Sequence, residues 1–228
     1  MDRPAQWLYR LLVLWNGIVF LAWVAVPFLL ARDPMWGRGW AHLALLAALL
    51  TAHRAVVARR NPALFERRRR IGAGTATWDL WWNAAFWPLM AAIAAVAGAE
   101  ARCGSALPGL TSAAGAVLLS GGIGLSAAAM ASNPFFEGTV RIQTEAGHRT
   151  IDTGPYRVIR HPGYAGLVLW ALATPLLLGS ARAFLPALAA IAWVVLRTAL
   201  EDATLRRGLQ GYFEYSRCVR FRLVPWVW

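Results

Sequence analysis

Apolar side chains run along this chain in long stretches separated by short polar connections, the pattern of helices that cross a bilayer. Residues 7–30 form the first stretch, with Asn16 and Pro27 as its irregularities; Asn16 is expected to bond a neighbouring helix rather than a substrate. A tight turn over 31–39, carrying Arg32, Asp33, Pro34, Gly37 and Arg38, leads to a second stretch at 40–57. The third, 78–99, has Asp79 at one end and Pro88 inside. The fourth, 107–131, repeats Ser120, Gly124 and Ala128 at four-residue spacing, a small-residue face that lets another helix approach closely. Residues 163–179 and 183–200 form a helical hairpin turned at Gly179-Ser180, its first arm short for a full span and compatible with a tilted or partly re-entrant course. From Glu201 onward, arginines alternate with Tyr212, Phe213, Tyr215 and Trp226, which predicts an amphipathic cap over the helix ends rather than another span. The expected fold is an all-α integral membrane protein of about five to six transmembrane helices with a C-terminal helical hairpin. It is read as one integrated domain, with N-terminal helices in 1–131 and the chemistry in 132–228.

Composition sharpens this picture. A chain of 228 residues that is 58% hydrophobic with mean hydropathy +0.46 is too apolar for a soluble domain. The net charge of +12 comes entirely from arginine on the basic side, and a nucleic-acid surface would be one reading. The distribution argues against it. Arg54, Arg59, Arg60, Arg67, Arg68, Arg69 and Arg70 crowd one connection against the single Glu66, as expected for a cytoplasmic loop facing anionic lipid. Both termini and the loop around His148 then lie on the same side, with Gly37 and Gly104 opposite. Asp79 is expected to offset the nearby arginines, Asn61-Pro62 to end the second helix, and Leu64 and Phe65 to lie at headgroup level. The first stretch is too long for a signal-peptide core and is expected to remain as an anchor. Cys103 and Cys218 fall on opposite sides, so no disulfide is expected, and His42, His53, His148 and His161 lack the spacing of a metal site. Gly121-Gly122-Ile123-Gly124 follows no strand and reads as helix packing, not a nucleotide loop.

The chemistry concentrates in a long polar segment, 133–160, holding Arg141, Gln143, Glu145, His148, Arg149 and Asp152, and in GPYRVIRHPGYAG at 154–166. Pro162 suits the first position of a helix, whose free N–H groups and positive dipole end next to His161 would favour an anionic group. An interfacial belt of Tyr, Arg and His has the same composition and stays open as a reading. Arg197 and Glu201, four residues apart, share one helix face in the order less favourable for a stabilising pair, which tilts the balance toward a site.

NPFFEGTVRIQTEAGHRTIDTGPYRVIRHPGYAG, then RTALED, then GYFEYSRCVRFRLVP, spanning roughly residues 130–225, resembles the isoprenylcysteine carboxyl methyltransferase family. The resemblance implies S-adenosylmethionine as cofactor and a lipophilic or lipidated acceptor drawn from the bilayer, most simply the carboxylate of an isoprenylcysteine-like substrate. It places Gln143, His148, Arg149, Thr150, Ile151, Tyr156, His161, Pro162, Gly163, Tyr164 and Glu201 at a cytoplasmic cofactor pocket, with Arg197 orienting the acceptor. A carboxylate acceptor needs no base; an amine or thiol would, and His161 or Tyr156 would then serve. Asp202 stands where the family commonly has a second Glu. Related membrane enzymes that methylate phospholipid amines or thiols share the RHPxY turn, and NADPH-dependent membrane reductases share part of the scaffold, so both remain alternatives. The expected setting is a bacterial inner membrane with the site facing the cytoplasm, membrane lipids as neighbours and no metal or nucleic acid.

Overall fold

The computed structural model describes residues 3–67, 75–104 and 107–228, so Arg68, Arg69 and Arg70 of the basic loop lie outside the described residues. Among the described residues eight α-helices follow in order: α1 (Arg3–Ala31), α2 (Gly37–Arg60), α3 (Ala63–Arg67), α4 (Thr77–Ala101), α5 (Gly109–Ser132), α6 (Pro162–Leu178), α7 (Phe184–Gly208) and α8 (Tyr212–Cys218). Helices α1, α2, α4, α5 and α7 are long and apolar enough to cross a membrane, and α6 is an apolar helix of 17 residues. The protein is therefore an all-α integral membrane protein, with α6 and α7 as the hairpin. Its most extensive helix interface joins α5 to α6, followed by α1 against α4.

Close approach of α5 and α6 depends on two glycines. A Cβ on Gly122 would lie 2.7 Å from the Gly166 carbonyl oxygen, and one on Gly166 would lie 2.5 Å from that of Gly122. The small-residue face expected from Ser120, Gly124 and Ala128 points outward instead, all three being exposed, while Gly115, Leu119 and Gly122 are buried. Both stripes have helical spacing, but Gly122 and Gly124 are about 200° apart around the axis. Spacing alone does not say which face meets the neighbour.

Two other expectations change. Helix α7 does not stop near residue 200 but continues to Gly208, because Glu201 and Asp202 find partners within the protein. Asp79 does not balance the loop arginines. It is fully buried on α4, ion-paired through Oδ1 with Nε of Arg197 at 2.9 Å, and accepts the Val140 N–H at 2.8 Å. Leu64 is buried against Val57 and Met130 rather than lying among headgroups.

At the end of the bundle remote from the polar segment, buried Glu100 accepts hydrogen bonds from the Ser180 hydroxyl and, at 3.0 Å, from the Arg182 N–H. Arg38 donates to the Leu107 carbonyl at 2.9 Å, and Gly179, with φ +73°, leaves room for that guanidinium. Turns from three helix pairs are thus knotted together. The middle is aromatic: Trp82 stacks on Phe86 at 4.6 Å, and Trp170 meets Trp23 at 5.7 Å and Trp87 at 6.2 Å.

Candidate functional site

Where α5 ends and α6 begins, the polar segment folds over a cavity of about 650 Å³. Asn133 caps the turn after α5, its Oδ1 accepting the Phe135 N–H at 2.8 Å and its Nδ2 donating to the Tyr156 hydroxyl at 3.2 Å. Buried Gln143 donates to the Phe135 carbonyl at 2.7 Å, and its backbone N–H donates to Nδ1 of His148 at 3.3 Å. A His148 that accepts at Nδ1 is the neutral tautomer with its proton on Nε2. Burial also pushes this imidazole below its ordinary value. The ring stacks on Phe135 at 4.6 Å, and Arg141 bridges Glu137 at 2.7 Å and Glu145 at 2.6 Å. A loop that reads as unstructured polar sequence is in this way cross-linked into a plate.

The RHPGY turn is held from behind. Arg160 is buried and donates to Asp202 through Nε at 2.8 Å and to the Val219 and Arg220 carbonyls, each at 2.8 Å. Asp202 also meets the Tyr212 hydroxyl at 3.0 Å, Nε of Arg222 at 3.0 Å and Nε2 of His161 at 3.4 Å. Backbone bonds from Arg160 to Phe221 and from His161 to Arg222, both 2.9 Å, lay the tail alongside the turn. The segment expected to be a cap is therefore also a clamp. Asp202 is its hub.

His148, Arg149, Thr150, Ile151, Tyr156, His161, Gly163, Tyr164, Arg197 and Glu201 all line the cavity; Gln143 and Pro162 do not, the first pinning the loop and the second opening α6. The rings of His161 and Tyr164 stack at 5.7 Å, and the Tyr164 hydroxyl donates to Glu201. Gly163 fits because a Cβ there would lie 2.6 Å from the Phe136 ring. Burial pushes the Tyr156 phenol above its ordinary value, so this side chain keeps its proton while its oxygen accepts from Asn133. Arg197 uses Nη2 on Asp79 at 3.2 Å and on the Gly138 carbonyl at 2.9 Å, with its guanidinium 4.1 Å over Trp82 and 5.2 Å over Tyr164. Arg197 and Glu201 share a helix face, yet each takes a different partner. Among the described residues Glu201 makes no ion pair, which leaves one carboxylate at the wall without a protein cation.

Sequence reading does not find the other sector of the wall. Trp82, Phe86 and Trp87 of α4, Trp170 of α6, Leu50 of α2 and Asn16 of α1 line it. The tryptophan-dense run after Thr77 is the one signal of this in the sequence, and a dense aromatic run is equally a membrane core. Among the described residues no group of three or more His, Cys, Asp or Glu side chains is arranged to hold a metal ion.

Residues 114–207 match the model of the Isoprenylcysteine carboxyl methyltransferase (ICMT) family, so the resemblance read from the sequence holds from α5 through α7 and covers every predicted site residue. Two proteins named probable protein-S-isoprenylcysteine O-methyltransferase, from Oryza sativa subsp. indica and Oryza sativa subsp. japonica, are each 44% identical over 43 residues, which is 19% of this chain and 22% of theirs. The chain thus spans about a fifth of the length of these curated relatives.

Proposed function

We propose that the protein is a membrane methyltransferase that uses S-adenosylmethionine to methylate a lipophilic acceptor, the best-supported reaction being O-methylation of an isoprenylcysteine-like carboxylate. One observation carries this reading: a single cavity joins a polar sector, where Glu201 makes no ion pair among the described residues, to an aromatic sector inside the membrane helices. The donor set fits the cofactor. Glu201 suits its amino group or ribose hydroxyls, the first turn of α6 at Gly163 suits its carboxylate, and the faces of Tyr156 and Tyr164 suit adenine or sulfonium. When bound, S-adenosylmethionine supplies an electrophilic methyl whose bond to sulfur breaks, the electron pair staying on sulfur, as an acceptor oxygen lone pair forms the new bond to carbon.

The residues of this chain align and enclose rather than transfer protons. Arg197, ion-paired with Asp79 and bonded through Nη2 to Asp79 and the Gly138 carbonyl, stands at the cavity wall and orients an acceptor carboxylate. Tyr156 stays protonated, and Asp202 holds His161 in place, so neither is needed as a base for a carboxylate acceptor. Residues 132–228 supply the cofactor sector together with Arg197 and Trp170, and the N-terminal helices the rest of the acceptor sector, with the mouth facing the cytoplasm of a bacterial inner membrane.

Calorimetry of the detergent-solubilised protein against S-adenosylhomocysteine and NADPH, with a labelled-methyl assay over prenylcysteine, phospholipid and thiol acceptors, tests the reading. Binding of NADPH alone overturns it, and labelling of a phospholipid or thiol in place of prenylcysteine moves the acceptor class. Glu201→Gln is expected to weaken S-adenosylhomocysteine binding by about 1 to 3 kcal/mol, the worth of a charge-assisted bond. Parent-like affinity in that variant would return Glu201 to a purely structural partnership with Tyr164.

A further inference from the structure

Five arginines line the cavity, and three of them are answered by carboxylates: Arg141 by Glu137 and Glu145, Arg160 by Asp202, and Arg197 by Asp79. The other two, Arg54 and Arg149, make no ion pair among the described residues. Arg149 belongs to the polar segment, next to His148. Arg54 belongs to α2, a helix long and apolar enough to cross the membrane, and stands six residues before its end at Arg60, about 9 Å along the axis at 1.5 Å per residue. Leu50, His53 and Arg54 are the α2 residues at the cavity wall, and their spacing is that of one helix face. Arg59 and Arg60, exposed at the helix end, do not line the cavity and are the ones placed for the headgroup layer. The Arg54 guanidinium lies 5.0 Å over the ring of Phe65, itself a wall residue. Phe65 and Phe136 both pack against Val57, Leu64 and Met130, and Phe136 is the ring for which Gly163 makes room. Arg54 is thereby linked through two aromatic side chains to the start of α6.

The proposed reaction brings two anionic groups into one cavity, the carboxylate of the cofactor and that of the acceptor. Asp79 already offsets the charge of Arg197, so that guanidinium can direct a hydrogen bond but adds little net attraction for a second anion. A carboxylate that leaves water for a partly apolar cavity needs a cation not yet matched. Two such cations stand at the wall, one on the polar segment and one on a membrane helix. We infer that Arg54 is the charge partner of the acceptor carboxylate, a specificity-determining residue that makes the site prefer an acidic acceptor over a neutral lipid of the same shape. Arg149, on the segment that carries the cofactor residues, is left for the cofactor. Phe65 holds the Arg54 guanidinium in place through its ring face. The inference rests on the methyltransferase reading for the identity of the acceptor. Arg54 and Phe65 lie outside residues 114–207 that match the family model, so this selectivity would come from the N-terminal half of the chain.

The test is equilibrium binding without turnover. An N-acetylated prenylcysteine and its carboxamide, alike in shape and different in charge, are titrated into the full chain in uncharged detergent, with and without S-adenosylhomocysteine. The parent protein is expected to bind the acid at least about tenfold tighter than the amide, Arg54→Gln to lose about tenfold of that preference, and Arg54→Lys, which keeps the charge, to retain most of it. Affinity for S-adenosylhomocysteine should stay within about twofold of the parent in both variants, which also shows that they fold. Equal binding of acid and amide by the parent overturns the inference, and so does a preference that survives in Arg54→Gln, the outcome for an arginine that serves bilayer headgroups. A loss of S-adenosylhomocysteine affinity in Arg54→Gln would move Arg54 to the cofactor and overturn it as well. An Arg54→Lys variant as poor as Arg54→Gln would place the effect in packing on Phe65 and not in charge, again against the inference. Failure of the parent to bind S-adenosylhomocysteine would instead strike the methyltransferase reading, and the preference for the acid would still be measured in the cofactor-free titration.

Discussion

Arg197 shows how one side chain is made usable at membrane depth. A guanidinium alone in that setting is very costly, and the fully buried Asp79 on another helix balances it. Asp79→Asn should therefore lower stability by about 3 kcal/mol or more, read as thermal unfolding in detergent, because it leaves the cation buried without its counterion. The double variant Asp79→Leu, Arg197→Met should recover much of that loss while abolishing turnover of a carboxylate acceptor. His148 gives a prediction of the opposite kind. Its folded state favours the neutral ring that accepts the Gln143 N–H, and burial lowers its affinity for a proton below the ordinary 6.5. The unfolded chain thus binds the proton more readily. The stability from His148 is fully present above about pH 6.5 and is lost as pH falls below that value toward the lowered folded-state pKa. Unfolding followed between about pH 7.5 and 5 should show this decline, and it should be smaller in His148→Gln, an uncharged replacement. Of these two residues the sequence named His148 for the right neighbourhood, since it sits in a dense motif. Asp79, 118 residues from its partner, carried no local sign of where it would pair.

Among the helices, the junction of α5 and α6 decides whether the cavity has a back wall. The two helices of that junction approach through Gly122 and Gly166, each of which meets the other's carbonyl. Gly166→Leu should force the helices apart and cost about 1 to 3 kcal/mol, the range for overpacking, and should weaken S-adenosylhomocysteine binding through displacement of the α6 start. The outward-facing Gly124→Leu is the control and should leave both readouts near the parent, since nothing lies within 4 Å of a Cβ there. Helix existence and length were readable for α1, α2, α4 and α5 because unbroken apolar stretches have few alternatives at that length. The end of α7 was not, because an acidic pair in sequence looks like an exit into water. Only the partners Tyr164, Arg160 and Tyr212 convert it into helix interior.

For the molecule as a whole, the two native cysteines report orientation without engineering. Cys103, just beyond the end of α4, and Cys218, at the end of α8, are both exposed and unpaired. If the polar cavity opens to the cytoplasm, a membrane-impermeant thiol reagent on intact cells should label Cys103 alone, with Cys218 reacting after permeabilisation. The reverse pattern would put the cavity on the side where the arginine-rich connection does not belong.

The knot around Glu100 bears on how such a cavity exchanges its contents. Ser180, Arg182, Arg38 and Leu107 hold the helix turns together at one end, whereas the other end is closed by side chains of the polar segment and the tail. A rod fastened at one end amplifies small rotations at the other. Helix α4 runs 25 residues from Thr77 to Ala101, so a rotation of about 5° about its fastened end carries Thr77 through roughly 3 Å, at 1.5 Å of length per residue. That displacement is enough to part the bond from the Val140 N–H to Asp79, so the pairing of Asp79 with Arg197 and Val140 limits how far this end of α4 swings, while the atoms around Glu100 scarcely shift.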